Sequence, residues 1–295
     1  MVDKVRWLKI AVTLTVVVSL AIVLLVPSSL SVAETGELLW SDYDLSSVPP
    51  SVMADATELA VELYGDYQEK SQDFARQLQT LYLAARDSDF VIFFNPGGWG
   101  WSSLADSSQW QSIVTGIQSE LDKLGYSSLL LSYLRTERTL GGCSEEVLSM
   151  LNPDSPKARD LASRAEFLTR HIPDLRVIIT GESNGTVISD SAMAILEDNR
   201  LVYSIQTGPP FWYENSALDR TLVLESNGLV PDAFSQGDIF AMISASLENL
   251  FGFPRPEEDC GNILFYVNAP GHEYWWQYPE VSSRITSFLE ENFGL

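Results

Sequence analysis

The sequence predicts an α/β fold: a mostly parallel sheet of about six strands with helices on both faces. Three observations carry that expectation. Short, wholly apolar runs such as Phe90-Val91-Ile92-Phe93-Phe94 have the composition of strands buried on both sides. Segments with apolar residues at helical spacing alternate with these runs. Turn residues close the runs, as Asn95-Pro96-Gly97-Gly98 closes the first.

Residues 34–50 read as a linker, polar and marked by Ser46-Ser47 and Pro49-Pro50. From Val52 to Arg86 the apolar positions (Leu59, Leu63, then Phe74, Leu78, Leu81) predict one or two amphipathic helices. Strands are expected at 90–94, 128–133, 176–180, 201–206 and 221–224, with a last one at Ile263–Val267. Helices are expected at about 108–124, 156–171, 185–196, 238–250 and 280–292. No break in composition divides residues 51–295, so they read as one domain. Ligands of such a sheet bind at the carboxyl ends of its strands.

The first 33 residues differ in kind. Lys4, Arg6 and Lys9 precede an uninterrupted apolar stretch from Ile10 to Val26. Basic residues ahead of an apolar segment hold the N-terminus inside and send the rest of the chain across the membrane. Two readings fit. Ser31-Val32-Ala33 has the small-x-small form of a signal-peptidase site, which implies removal. The apolar length approaches the ~20 residues that span a bilayer, which implies a transmembrane anchor. Both place residues 34 onward outside the cytoplasm, either secreted or held at the cell membrane.

With 18 Lys+Arg against 40 Asp+Glu, the chain carries a formal charge of −22. Such a surface repels phosphate backbones, so no nucleic-acid partner is expected. Two cysteines, Cys143 and Cys260, suggest one disulfide in an exported protein. Neither has metal-ligand spacing, and there are two histidines in all, so neither a metal nor another cofactor is expected.

The chemistry centres on Gly181-Glu182-Ser183-Asn184-Gly185, between the strand at 176–180 and a helical pattern. A nucleophilic serine on a tight strand-to-helix turn needs small residues two positions before and after it. It also needs a base. His171 precedes the strand and so lies at its far end, about 15 Å away at ~3.3 Å per residue. His272 comes after the expected last strand, on the same rim as Ser183, and is the expected base. Trp99, Trp101, Phe211, Trp212, Tyr213, Tyr274, Trp275 and Trp276 crowd the loops of this rim, either lining an apolar pocket or packing in the core. Arg135 and Arg138 read as surface charge, with a substrate carboxylate as the alternative role.

From about residue 88 to 295 the chain resembles the α/β-hydrolase superfamily. The resemblance rests on the Gly-rich turn Asn95-Pro96-Gly97-Gly98-Trp99-Gly100, the serine elbow and a late histidine, in that order. It implies an oxyanion hole from the backbone N–H of Asn184 and of the Gly98–Trp99 turn. It also implies an acid after the strand at 221–224, where the nearby carboxylates are Asp232, Glu225 and Asp238, and of these Asp232 lies in the loop and is the expected acid. There Asn227-Gly228-Leu229-Val230-Pro231 looks like a lipase-type Asp-Gly-x-Val-Pro, with an amide where the acid belongs.

The reading is an exported serine hydrolase of the esterase or lipase kind. It cleaves a small-molecule carboxylic ester through an acyl-enzyme on Ser183, with His272 as base and Asp232 orienting it. Two alternatives stand beside it: a non-catalytic surface binding protein of the same fold, suggested by Asn227, and an acyltransferase using the same triad.

Overall fold

The computed structural model describes residues 34–35, 43–65, 67–136, 139–152, 155–216, 218–250, 261–264 and 267–294. The N-terminal apolar segment, Arg138 and Cys260 lie outside them. Among the described residues no helix is long and apolar enough to cross a membrane. Cys143 is half-buried and is joined to no other cysteine among the described residues.

The elements are β1 (Glu34–Thr35), α1 (Pro50–Tyr64), α2 (Gln68–Ala85), β2 (Phe90–Phe94), α3 (Ser108–Lys123), β3 (Ser128–Leu134) and α4 (Leu140–Leu151). They continue with α5 (Pro156–His171), β4 (Arg176–Glu182), α6 (Gly185–Ile195), β5 (Val202–Thr207), β6 (Thr221–Leu224) and α7 (Ile239–Leu250). The hairpin strands β7 (Gly261–Leu264) and β8 (Val267–Ala269) and the helix α8 (Pro279–Phe293) complete the chain.

The sheet runs in the order β1-β3-β2-β4-β5-β6. Strands β2 to β6 are mutually parallel, while β1 joins β3 antiparallel. All five residues of β2 are buried, and they alternate between two cores. Phe90, Ile92 and Phe94 face α3 and α8; Val91 and Phe93 face the other side, where α1, α2, α5 and α6 pack. That double burial is why β2 reads as a continuous apolar run rather than as an alternating one.

The last expected strand is corrected. Ile263–Val267 does not extend the parallel sheet; this part of the chain pairs with itself as the β7–β8 hairpin. The outer edge of β6 is met by a side chain instead: Arg284 on α8 donates to the Val223 carbonyl at 3.2 Å. The hairpin is covered by α7, where Ser246 Oγ accepts from the Asn268 N–H at 3.0 Å. The helix α4 is not expected from the sequence at all. Within the expected linker, Tyr43 and Leu45 pack on the core and Val48 is buried in it.

The path of the chain positions the site. From β2 the chain passes through α3, on one face, to β3. It then returns through α4 and α5, with α5 on the opposite face, to β4 on the far side of β2. The helices that follow β2 and β4 therefore lie on opposite faces of the sheet, which makes the carboxyl ends of these two strands a switch point. In open α/β sheets such a switch point is where ligands bind.

Candidate active site

Ser183 is buried at that switch point. Strand β4 ends at Glu182 and α6 starts at Gly185, so Ser183 and Asn184 are the whole turn. Ser183 has φ +50°, in the left-handed region that side chains rarely adopt. Holding a non-glycine residue there costs about 1–3 kcal/mol. The surroundings fix it: Ser183 N–H donates to the Thr207 carbonyl at 2.9 Å, and the Ser183 carbonyl accepts from Thr186 N–H at 3.0 Å. The flanking glycines are required by space. A Cβ on Gly185 would lie 2.6 Å from the Pro96 carbonyl oxygen, and one on Gly181 would lie 2.9 Å from Thr186 Cα.

The Gly-rich turn lies directly against this elbow. A Cβ on Gly97 would lie 3.1 Å from Ser183 Cβ. Gly98 and Gly100 have φ +57° and +76°, and Gly100 N–H closes the turn on the Gly97 carbonyl at 3.1 Å. Asn184 Nδ2 reaches the Gly98 carbonyl at 3.4 Å. The backbone N–H groups of Gly98, Trp99 and Asn184 donate to no group among the described residues.

A buried polar scaffold supports the turn from beneath. Asn95 Nδ2 donates to the Gly185 carbonyl at 2.8 Å and to Ser189 Oγ at 2.9 Å. Arg135 donates to Asn95 Oδ1 and to the Pro96 carbonyl. Its Nε also donates to Glu146 Oε1 at 2.8 Å, and Glu146 takes a second cation, Lys157, at 2.9 Å. The expectation of Arg135 as surface charge is corrected. It is fully buried, because the turn carbonyls and the Glu146 carboxylate give its guanidinium partners inside the protein.

His272 and Asp232 form the other half of the site. His272 Nδ1 and Asp232 Oδ2 are 2.9 Å apart. The loop that carries the histidine rests on the loop that carries the acid. Gly271 has φ +78°, a Cβ there would lie 2.3 Å from the Pro231 carbonyl oxygen, and Ala233 N–H donates to the Pro270 carbonyl at 2.9 Å. The imidazole stands over the end of β5: a Cβ on Gly208 would lie 2.5 Å from His272 Cε1. Thr207, the residue before Gly208, carries the carbonyl that binds Ser183 N–H. The two halves thus share the end of one strand. Among the described residues the buried Ser183 Oγ has no hydrogen-bond partner, so the serine and the histidine share one rim but are not joined by a hydrogen bond.

Asp232 is fully buried and heavily satisfied. Its Oδ1 accepts from the N–H groups of Phe234 (2.8 Å) and Ser235 (3.1 Å). Its Oδ2 accepts from Ser235 Oγ (3.0 Å) and Tyr274 Oη (2.7 Å) as well as facing His272. Burial alone would raise the carboxyl pKa. The hydrogen bonds from His272, Tyr274 and Ser235 outweigh it and hold the group below the usual carboxylate range. Glu225 and Asp238 are exposed, and Asp238 caps α7 through Ala241 N–H at 3.0 Å.

Asn227 has a different task. Its Oδ1 accepts from Leu229 N–H and Val230 N–H at 2.9 and 3.0 Å, and its Nδ2 donates to the Glu273 carbonyl at 2.9 Å. That last bond needs a donor, which an ionised carboxylate lacks. The amide at this position therefore fastens the acid loop to the histidine loop. Tyr274, read as a pocket or core aromatic, is the residue sequence reasoning missed: it supports Asp232 through its hydroxyl. Trp276 faces α3, where its backbone N–H donates to Ser112 Oγ at 3.1 Å. Trp99 and Trp101 stack at 6.1 Å beside the Gly-rich turn, and Phe211, Trp212, Phe234 and His272 form an edge-to-face series along the opposite side. His171 is remote, at the end of α5, paired with Asp55 at 3.2 Å.

Among the described residues no cluster of side chains has the make-up of a metal site. No protein-family model matches the sequence, and no curated protein matches it significantly. The architecture is an α/β fold with a parallel sheet, compatible with that of an α/β-hydrolase.

Proposed function

We propose that the protein is a serine hydrolase that cleaves a carboxylic ester through an acyl-enzyme on Ser183. The observation that carries the reading is the pairing of a buried carboxylate with His272 on the rim where Ser183 is held at φ +50°. Substrate binding brings Ser183 Oγ and His272 Nε2 into hydrogen-bond reach; such bonds are often long or absent before substrate arrives. His272 takes the hydroxyl proton as Oγ attacks the carbonyl carbon. Asp232 holds the imidazole by Nδ1 and stabilises the cation that forms. The N–H groups of Gly98, Trp99 and Asn184, which donate to no group among the described residues, receive the oxyanion. His272 then protonates the leaving alcohol, and water repeats the sequence to release the acid.

Asn227, the residue that suggested a non-catalytic binding protein, fastens the Glu273 carbonyl, and Asp232 rather than Asn227 faces His272. The proposed extracytoplasmic location rests on Lys4, Arg6, Lys9 and the apolar run Ile10–Val26. A fluorophosphonate probe tests the chemistry. Labelling is expected for the native protein, absent for Ser183→Ala and strongly reduced for His272→Ala. A folded native protein that takes up no probe and hydrolyses no nitrophenyl ester overturns the reading.

A further inference from the structure

One carboxylate at the site has no place in that mechanism. Glu182 immediately precedes Ser183, and its side chain turns back under the Gly-rich turn, where Oε2 accepts the Gly97 N–H at 3.1 Å. A Cβ on Gly97 would lie 3.1 Å from Glu182 Cγ as well as 3.1 Å from Ser183 Cβ, so the turn, the glutamate and the nucleophile are packed together. Gly97 N–H is the donor just before the two N–H groups, on Gly98 and Trp99, that point to no protein acceptor among the described residues. Engaged by Glu182, it cannot itself face the oxyanion. Its bond fixes the Pro96–Gly97 peptide plane, which immediately precedes the planes that carry the next two donors.

We propose that Glu182 is a positioning residue that sets the oxyanion-binding turn through the Gly97 N–H. The inference rests on the serine hydrolase reading, and it adds a second acid to the site with a role distinct from that of Asp232. A charge-assisted acceptor binds an N–H about twice as strongly as a neutral one. The turn is therefore held firmly when Glu182 is ionised and more loosely when it is protonated. Burial pushes the Glu182 carboxyl above the usual range. The Gly97 N–H, His272 and Arg135, the donor and the charged groups that face it, pull it back only in part. Protonation of Glu182 thus falls closer to neutral pH than it does for an exposed glutamate. Donors to an oxyanion act in the transition state, so loosening them lowers kcat and leaves KM nearly unchanged.

The test compares Glu182→Ala and Glu182→Gln with the native protein, using the full chain and a nitrophenyl ester. Glu182→Ala, which removes the acceptor, is expected to lower kcat by about 10- to 100-fold with KM within about threefold. Glu182→Gln keeps an acceptor and cannot titrate. It is expected to stay within about fivefold of native kcat at its optimum and to lose one of the two ionisations on the acid side of the native kcat profile. Unchanged kcat in Glu182→Ala, or a native acid limb unaltered in Glu182→Gln, overturns the inference. If Glu182→Ala does not fold, the Glu182→Gln profile decides alone. The outcomes separate the two levels of argument. A native protein that takes up no fluorophosphonate removes the hydrolase reading, whereas a labelled enzyme indifferent to both substitutions removes the role of Glu182 alone.

Discussion

The two halves of the site are built differently. The Ser183 half belongs to the sheet: β2 and β4 end there, glycines pack against backbone, and Asn95, Arg135 and Glu146 fill the space beneath. The His272 half lies outside the sheet, on loops and a hairpin fastened by Asp232, Asn227 and Tyr274. The first half is held by close packing and buried ion pairs, the second by hydrogen bonds between loops. Ser183 is therefore fixed by the fold itself. His272 is placed by a local network, and in the proposed reaction a shift of that network completes the bond between Ser183 and His272.

Substitutions can probe either half. The largest effect is expected at the nucleophile: Ser183→Ala should lower kcat by at least about 10⁴-fold, measured by single-turnover ester hydrolysis. Asp232→Asn should come next. It loses the charge that stabilises the His272 imidazolium, and an amide presents the wrong partner to Nδ1, so kcat should fall by roughly 10³- to 10⁴-fold. Gly208→Ala isolates the second half. Its Cβ would press on His272 Cε1 at 2.5 Å and would sit at φ +61°. Displacing the imidazole by about 1 Å should lower kcat/KM by roughly 100-fold while fluorophosphonate still reaches Ser183 slowly.

Stability should separate the halves in the other direction. Arg135→Met breaks the buried scaffold under the Ser183 half and leaves Glu146 with one cation fewer. A loss of roughly 3 kcal/mol is expected in urea unfolding. In the His272 half, Asp232 has a folded-state pKa below its unfolded one, so its contribution is present above pH ~4 and lost as pH falls through the folded value. Native protein should therefore lose stability as pH falls below about 4, the range where carboxylates titrate. Asp232→Asn should show a shallower decline in urea midpoints over that range.

The difference between the halves also explains what the sequence discloses. The elbow is a local arrangement of contiguous strand, turn and helix around Ser183, so its residues announce it. His272 can be selected because His171 lies at the wrong end of β4. Asp232 stands out only by its position in a loop; the histidine and tyrosine that face it arrive from a distant part of the chain. What stays hidden depends on such distant contacts. Arg135 looks like any charged residue after a strand until Asn95 and Glu146 are brought to it. Asn227 looks like a defective acid until the Glu273 carbonyl is placed beside it. The apolar run from Ile263 reads the same whether it joins the sheet or folds into a hairpin. Gly141-Gly142 at the start of α4 lowers helix propensity enough to mask that helix.

The left-handed backbone at Ser183 sets how this protein trades function against durability. A glycine there would adopt φ +50° without penalty, at the cost of the hydroxyl. Ser183→Gly should therefore be inert yet more resistant to heat than the native chain, its melting point raised by a few degrees for about 1 kcal/mol of released strain. The most stable sequence for this fold is then one that has given up its reactive group. Under the proposed reaction, the serine at this position serves chemistry rather than folding.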